Sequence, residues 1–557
     1  MAFPVINPIL QFFDNSGNVL DSGLLYTYEP GTTTPKTTYS DENLSVENTN
    51  PIVLSSAGRC TIFTADGSEY KYVLQTSSGV TLRTVDEVKA PLSTAAAIGL
   101  LLYPRTAAEI AAGVTPSSYL YEELDLRRYG GDPTAVSDSD TAMSNAIAVC
   151  GTKGGIIRAR GKDAHYKFAS SITLTAKVGI LIEGEGTATS GGQPRTRFTY
   201  SGTGTGVWIN MDSAQGCLLR GLQLTHSSAS FTGTYIKCGN DGTNGDSQYS
   251  GLSDCVLGGS AGAGTTHLNL DKAIIFSVER CTFICGNPSV KGQLSTGGGY
   301  SNDVSFKDCT WLNNYVVPVK DPGQSWTFDS CSFEQLTTGA PGAIVSTSSS
   351  TPAIGTEIRG CWFGDATSTA GTWIDLQGGA LSFTGNYLSG NETGSTGIKL
   401  RGFVGAKIAG NLFGHLLAGV DFATATCHGC SIENNDFDTV TTTIANPANH
   451  SPGLVFNPNY PMQSPPTGHG ATGTTGYEIS ANGTIRQWGI VSMAAAGTQA
   501  VTFTKEFPTA CFQVMVGFNS APGTNTATAA SITTSGFTIG YGGTAGAATL
   551  VWHAIGN

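Results

Sequence analysis

The run Leu252-Ser253-Asp254-Cys255-Val256-Leu257 sets the terms for the chain. Its grammar is an apolar residue, two others, Cys or Asn, any residue, then a large apolar residue. The same grammar returns around Cys281, Cys309, Cys331, Cys361, Asn386, Asn411 and Asn435, ending at Phe437. The steps between these positions are 26, 28, 22, 30, 25, 25 and 24 residues. A repeat in the twenties is the signature of a solenoid, in which each turn buries its apolar face on the next.

The residue types choose the solenoid. Gly, Ser, Thr, Val, Ile and Phe dominate, in short alternating runs broken by Gly and Asn, which reads as strands and corners and not as helix pairs. Leucine-rich repeats fit less well, because no L-x-x-L-x-L run accompanies the Asn. In a parallel β-helix, equivalent residues of successive turns stack about 4.8 Å apart. Five Cys followed by three Asn then form one internal column. Small thiols suit burial there, and stacked Asn amides hydrogen-bond along it.

Composition sets limits. A chain of 557 residues holds several domains. Only 13% of it is charged and 73 residues are Gly, which fits an extended all-β protein with many corners. A net charge of −12 argues against a sequence-independent nucleic-acid surface, which needs clustered Lys and Arg. Met1-Ala2-Phe3-Pro4 has no basic leader, and the longest apolar stretch, Ala95 to Tyr103, is too short to span a bilayer. The expectation is synthesis in a host cytoplasm without membrane insertion. Thirteen Cys, five at one repeat position, read as reduced buried thiols and not as a disulfide framework.

Residues 1 to about 90 read as a small β domain, with alternating runs between Asn7-Pro8, Asp14-Asn15-Ser16-Gly17, Gly31-Thr32, Asn50-Pro51 and Gly58, then Tyr70-Lys71-Tyr72-Val73-Leu74. This order resembles the virion-attachment domain of tailspikes from short-tailed phages. Residues 91–125 read as a neck, where Thr106-Ala107-Ala108-Glu109 is a capping box and Gly113 ends the helix. The stretch from Thr106 to Pro116 resembles the segment before the β-helix of phage depolymerases. Leu126-Arg127-Arg128-Tyr129-Gly130-Gly131-Asp132, then Ser137 to Met143, Ala146 to Cys150 and Gly154 to Ala159, resemble the entry segment of pectate-lyase-like β-helices. Asp138 and Asp140 there suit a helix N-terminus, and the helix is expected to cover the open end of the solenoid.

Residues 446–476 are rich in Pro and Gly and read as a linker. Residues 477–557 alternate around Gln487-Trp488-Gly489, Phe507-Pro508 and Trp552-His553-Ala554-Ile555-Gly556, an antiparallel sandwich that resembles the tip domain of phage tail fibres. The expected fold class is therefore all-β: a right-handed parallel β-helix over 126–445, with a small N-terminal β domain, a short helical neck and a C-terminal antiparallel β-sandwich. The resemblance implies a homotrimeric tailspike in the virion tail. Its N-terminal domain would bind phage tail or connector proteins, and its β-helix a bacterial surface polysaccharide.

Two local motifs carry no chemistry. Gly202-Thr203-Gly204-Thr205-Gly206 lacks the Lys and the βαβ setting of a phosphate loop. Cys427-His428-Gly429-Cys430 lacks a second pair at zinc-finger spacing. No cofactor and no metal is expected.

Glycoside hydrolysis needs two carboxyls, about 5–5.5 Å apart for retention and about 6.5–9.5 Å for inversion. Counting outward residues from the Cys column places Glu334, three past Cys331, against Asp365, four past Cys361 on the next turn. They are the candidate catalytic pair. Gln335, Asn313 and an outward Trp362 are candidate substrate contacts. Asp375, Lys399 and Asp421 read as an outward ion ladder, Trp311 as core, and Trp373 as further aromatic surface. Three functions remain open: an endo-acting depolymerase, a non-catalytic receptor-binding fibre, and a lyase on uronate polymer.

Overall fold

The computed structural model describes residues 9–65, 67–90, 94–186, 196–258, 264–292, 301–312, 317–334, 342–347, 353–364, 371–390, 394–423, 427–450, 455–456, 459, 475–479, 484–519, 524–543 and 546–557. It divides into two compact units, Met1–Gly130 and Gly131–Asn557.

In the first unit an antiparallel sheet joins Ile52–Val53, Leu24–Tyr28, Glu69–Gln75 and Thr81–Lys89 in that spatial order, and Ile9–Gln11 pairs with Arg59–Thr61. Leu20, Leu25, Ile52, Leu54, Cys60 and Leu74 make its small core. The capping box is present at helix Ala107–Ala111. Glu109 N–H donates to Thr106 Oγ1 at 3.2 Å, and Thr106 N–H donates to Glu109 Oε2 at 2.9 Å. The same carboxylate is fully buried against the equally buried Arg128, whose Nη2 lies 2.8 Å away, and accepts from Tyr129 Oη at 3.0 Å. The remaining guanidinium donors reach the carbonyls of Tyr103, Pro104 and Tyr121. A buried ion pair is tolerated only when its hydrogen bonds are filled in this way.

In the second unit one parallel sheet of 32 strands runs from Thr134–Asp138 to Val455–Phe456. This is a parallel β-solenoid. Helix Asp140–Cys150 lies against the first-turn strands Gly155–Ala159 and Ile172–Thr173, burying Ala142, Met143, Ala146, Ile147, Val149 and Cys150. Asp140 accepts from the N–H groups of Ser170 and Ala169 at 3.0 and 3.2 Å, so its role is structural.

The repeat grammar has a physical reason at each position. The residue before the Cys or Asn turns a corner in the left-handed region: Asp254, Arg280, Asp308, Ser330, Gly360, Gly385, Gly410 and Asn434 all have φ between 50° and 66°. Gly, Asn and Asp enter that region at least cost. The next residue points inward and donates to a carbonyl one turn back. Cys309, Cys331 and Cys361 Sγ donate to Val278, Phe306 and Phe328, and Asn386, Asn411 and Asn435 Nδ2 donate to Ile358, Phe383 and Ile408. Thiol and amide therefore do one job on one acceptor. All thirteen cysteines are free. The large apolar residue stacks on its counterpart: ring centroids are 5.1 Å apart for Phe283–Trp311, 4.4 Å for Trp311–Phe333 and 4.8 Å for Phe333–Phe363. Trp311 is core, as its position implies.

Parallel pairing continues past residue 445, into the stretch that reads as a linker. Ser431 and Ile432 pair with Val455 and Phe456, and Asn459 extends the Asn column by one more turn.

Beyond it, Ile485–Met493, Ala548–Gly556 and Cys511–Phe518, with Gly476–Ile479, form one antiparallel sheet. Gly497–Thr502, Gly536–Gly542 and Thr526–Ala530 form another, and both contribute to a shared core around Phe503, Phe537, Ile539 and Trp552. The Gln-Trp-Gly motif is part of this packing. Gln487 is buried and exchanges hydrogen bonds with the Lys505 backbone, while Gly489 leaves room for the Trp552 ring.

Candidate functional site

The site residues lie on the outward side of the strands that follow the Cys/Asn column. The position just past the column stacks, turn by turn, as Thr282, Thr310, Ser332, Trp362, Tyr387, Leu412 and Asp436. Large aromatics occupy two successive rungs. Trp362 and Tyr387 are half-buried and nearly parallel, with centroids 6.5 Å apart and planes at 12°. Trp362 faces outward, as alternation along its strand requires.

These two rings border an open groove of about 490 Å³ that runs across four turns. Its floor is Gly360, Gly385 and Gly410, and Asp436 stands at the far end. The glycines are there because the corner needs left-handed backbone, and their lack of side chains leaves the groove open. A flat apolar wall beside an exposed backbone floor suits a ring with one apolar face and polar edges, which is the shape of a pyranose.

Glu334 lies one turn before this groove. It is half-buried, and its Oε1 accepts from Ser332 Oγ at 2.7 Å. The residue directly across from it on the next turn is Gly364. The Trp362 ring lies over Gly364, where any Cβ would collide with it. Glu334 is thus adjacent to the aromatic platform. Asp365 follows Gly364 in sequence and lies outside the described residues, as do Gln335 and Asn313. Beyond Gly364 the Glu334 column continues as Ser389, Gly414 and Asp438, so among the described residues no carboxylate of that column faces Glu334 from a neighbouring turn.

The other sequence expectations resolve as follows. Asp375, Lys399 and Asp421 are register partners on three turns. Lys399 Nζ stands 4.0 Å from Asp375, while Arg401 Nε reaches it at 2.7 Å, so Arg401 is the main partner. Trp373 is not surface: it is 2% exposed and its Nε1 donates to the Ser389 carbonyl at 3.1 Å. Alternation fails there because Trp373 and Ile374 are both buried. Cys427 and Cys430 are buried on either side of a corner, where Gly429 has φ +67°. Among the described residues no group of three His, Cys, Asp or Glu could hold a metal. Tyr387 and Asp436 escaped the sequence reading, although both sit one residue past an Asn of the column, where Trp362 sits relative to Cys361.

Residues 479–557 match the sequence family described as putative tail fiber protein gp53-like, C-terminal. No curated protein sequence matches the chain. Among solved structures, the chain is similar to an R2 pyocin fibre of P. aeruginosa, at 33% identity over 16% of this chain and 25% of that one, with a TM-score of 0.15. It thus spans a quarter of that fibre fragment. It is also similar to the A-module of the mannuronan C-5 epimerase AlgE6 of Azotobacter vinelandii, at 13% identity, 61% and 100% coverage and a TM-score of 0.45. A third likeness is to tailspike protein gp49 of Acinetobacter baumannii bacteriophage Fri1, a capsular polysaccharide depolymerase, at 10% identity, 76% and 83% coverage and a TM-score of 0.37.

Proposed function

We propose that the chain is a phage tailspike whose solenoid binds a bacterial surface polysaccharide along the groove bordered by Trp362 and Tyr387. The observation that carries this reading is the outward, near-parallel pair of rings over a glycine floor. Successive rungs place aromatic platforms at a spacing a sugar chain can follow. On the same reading the protein works as a homotrimer in the virion tail, is made in the host cytoplasm, and is held by tail or connector proteins through residues 1–90.

Cleavage by endo-hydrolysis belongs to this proposal. Glu334 supplies one carboxyl beside the platform, and Asp365, one residue past the position facing it, supplies the other. One would protonate the leaving oxygen while the other, ionised, acts as base or nucleophile. Incubating the protein with host polysaccharide tests it: new reducing ends are expected, and unsaturated uronate ends would instead mark a lyase. A second reading, a non-catalytic receptor-binding fibre, is favoured by the tail-fibre match of residues 479–557. Under it, polymer is bound and its length stays unchanged.

A further inference from the structure

Several arginines on the outward face of the solenoid are each matched by an acid. Arg220 meets Glu183, Arg280 meets Asp254, Arg359 meets Asp329, and Arg401 meets Asp375. The column at the end of the neighbouring strands brings like charges together instead. Its successive rungs are Lys237, Asn269, Lys291 and Lys320. Lys237 Nζ is held by Asp212 at 2.6 Å. Lys291 and Lys320 are direct register partners, both half-buried and outward while Val290 and Val319 point in. Neither has a carboxylate at ion-pair distance among the described residues.

Stretches of sequence that follow these strands or lie between them also lack acids. Residues 285–300, 313–318 and 335–352 contain no Asp or Glu. Asp321, next to Lys320, is 2% exposed and spends its carboxylate on the backbone N–H and hydroxyl of Thr347. Asp271 lies one turn before Lys291, within its electrostatic reach but not in contact. Like charges placed directly opposite on adjacent strands, about 4.8 Å apart, destabilise a sheet. In a protein with a net charge of −12, this is a local positive stripe.

We propose that Lys291 and Lys320 form a subsite for the carboxylate of an acidic sugar. The inference rests on the polysaccharide reading above and narrows it to an anionic polymer. Two ammonium groups in one column neutralise a carboxylate between them, and the ligand relieves their mutual repulsion. Binding should weaken as salt rises.

The test is affinity electrophoresis of the full chain through gels holding polygalacturonate or neutral dextran, with mobility referred to a polymer-free gel. The parent should be retarded by polygalacturonate and not by dextran. Lys291→Ala with Lys320→Ala should weaken that retardation about tenfold, the scale of losing a charge-assisted contact. Lys291→Arg with Lys320→Arg should keep it, which separates charge from folding. Parent-like retardation of the alanine pair, equal retardation of the parent by both polymers, failure of the arginine pair, or an unretarded parent would each overturn the subsite. Trp362→Ala on host polysaccharide separates the two readings. If it weakens binding while the alanine pair does not, only the subsite fails; if no polymer binds the parent at all, the polysaccharide reading fails with it.

Discussion

Asn411 Oδ1 accepts two hydrogen bonds from Asn386, one from its backbone N–H at 2.8 Å and one from its Nδ2 at 3.0 Å. Asn411 in turn donates to Asn435 Oδ1 from its own N–H and Nδ2, at 3.0 and 2.8 Å, and Asn435 repeats the pattern on Asn459. Each amide is buried and fully used, so the ladder ties four turns together along the solenoid axis.

Removing one rung strands several buried groups. Asn411→Ala removes the acceptor of the Asn386 N–H and of one Asn386 Nδ2 hydrogen, and the side-chain donor to the Phe383 carbonyl, so a loss of about 3 kcal/mol is expected. Asn411→Cys should cost less. A thiol at this position donates to the same carbonyl, as Cys361 does to Phe328 at 3.5 Å. Guanidinium unfolding followed by far-UV circular dichroism ranks the three proteins; an alanine variant as stable as the parent would mean the ladder contributes nothing.

The platform gives a second prediction. Trp362→Ala and Tyr387→Ala should each weaken polysaccharide binding by at least about tenfold, as truncating a central aromatic contact does. Neither ring is part of the interior, so the circular dichroism spectrum should not change. Isothermal titration with host polysaccharide is the measurement, and unchanged affinity in both variants would move the binding site elsewhere.

How far the sequence could be read depended on chemistry at each position. The column was legible because Cys and Asn recur at one place in the apolar pattern, and because both donate to one carbonyl. Asn459 was hidden by the surrounding prolines, which read as linker although the chain there still pairs with Ser431 and Ile432. Trp362 was legible from alternation. Trp373 was not, since two adjacent side chains are both buried at the start of its strand. Lys291 and Lys320 sit on two-residue strands, too short for any period to show, and only the register brings them together.

Glu334 gives a third prediction. If the groove hydrolyses its polymer, Glu334→Gln should lower the rate by about a hundredfold or more, the usual contribution of a positioned acid or base. Binding should persist, because the amide keeps the shape of the carboxylate. Reducing-end release, measured beside affinity, separates the two effects. Full activity would place the chemistry away from this rung.

The last prediction concerns acid stability and rests on His267. Its ring is 1% exposed, stacked on Phe283 and tilted by 47° against Tyr235, and its Nδ1 has no partner among the described residues. Burial lowers its pKa from 6.5 to about 3, with the nearby His226 acting in the same direction. The native state therefore holds the neutral ring, while the unfolded chain takes up a proton near pH 6.5. This contribution is fully present above that pH and is lost as pH falls from about 6.5 toward 3. The limiting slope is about 1.4 kcal/mol per pH unit. His226, hydrogen-bonded to Tyr235 Oη at 2.6 Å, is shifted down as well and adds a slope of the same sign. His267→Phe keeps the ring stack and removes only the first contribution. Unfolding midpoints at pH 7 and pH 5 should therefore drop less in His267→Phe than in the parent, and equal drops would show that His267 is not held neutral by burial.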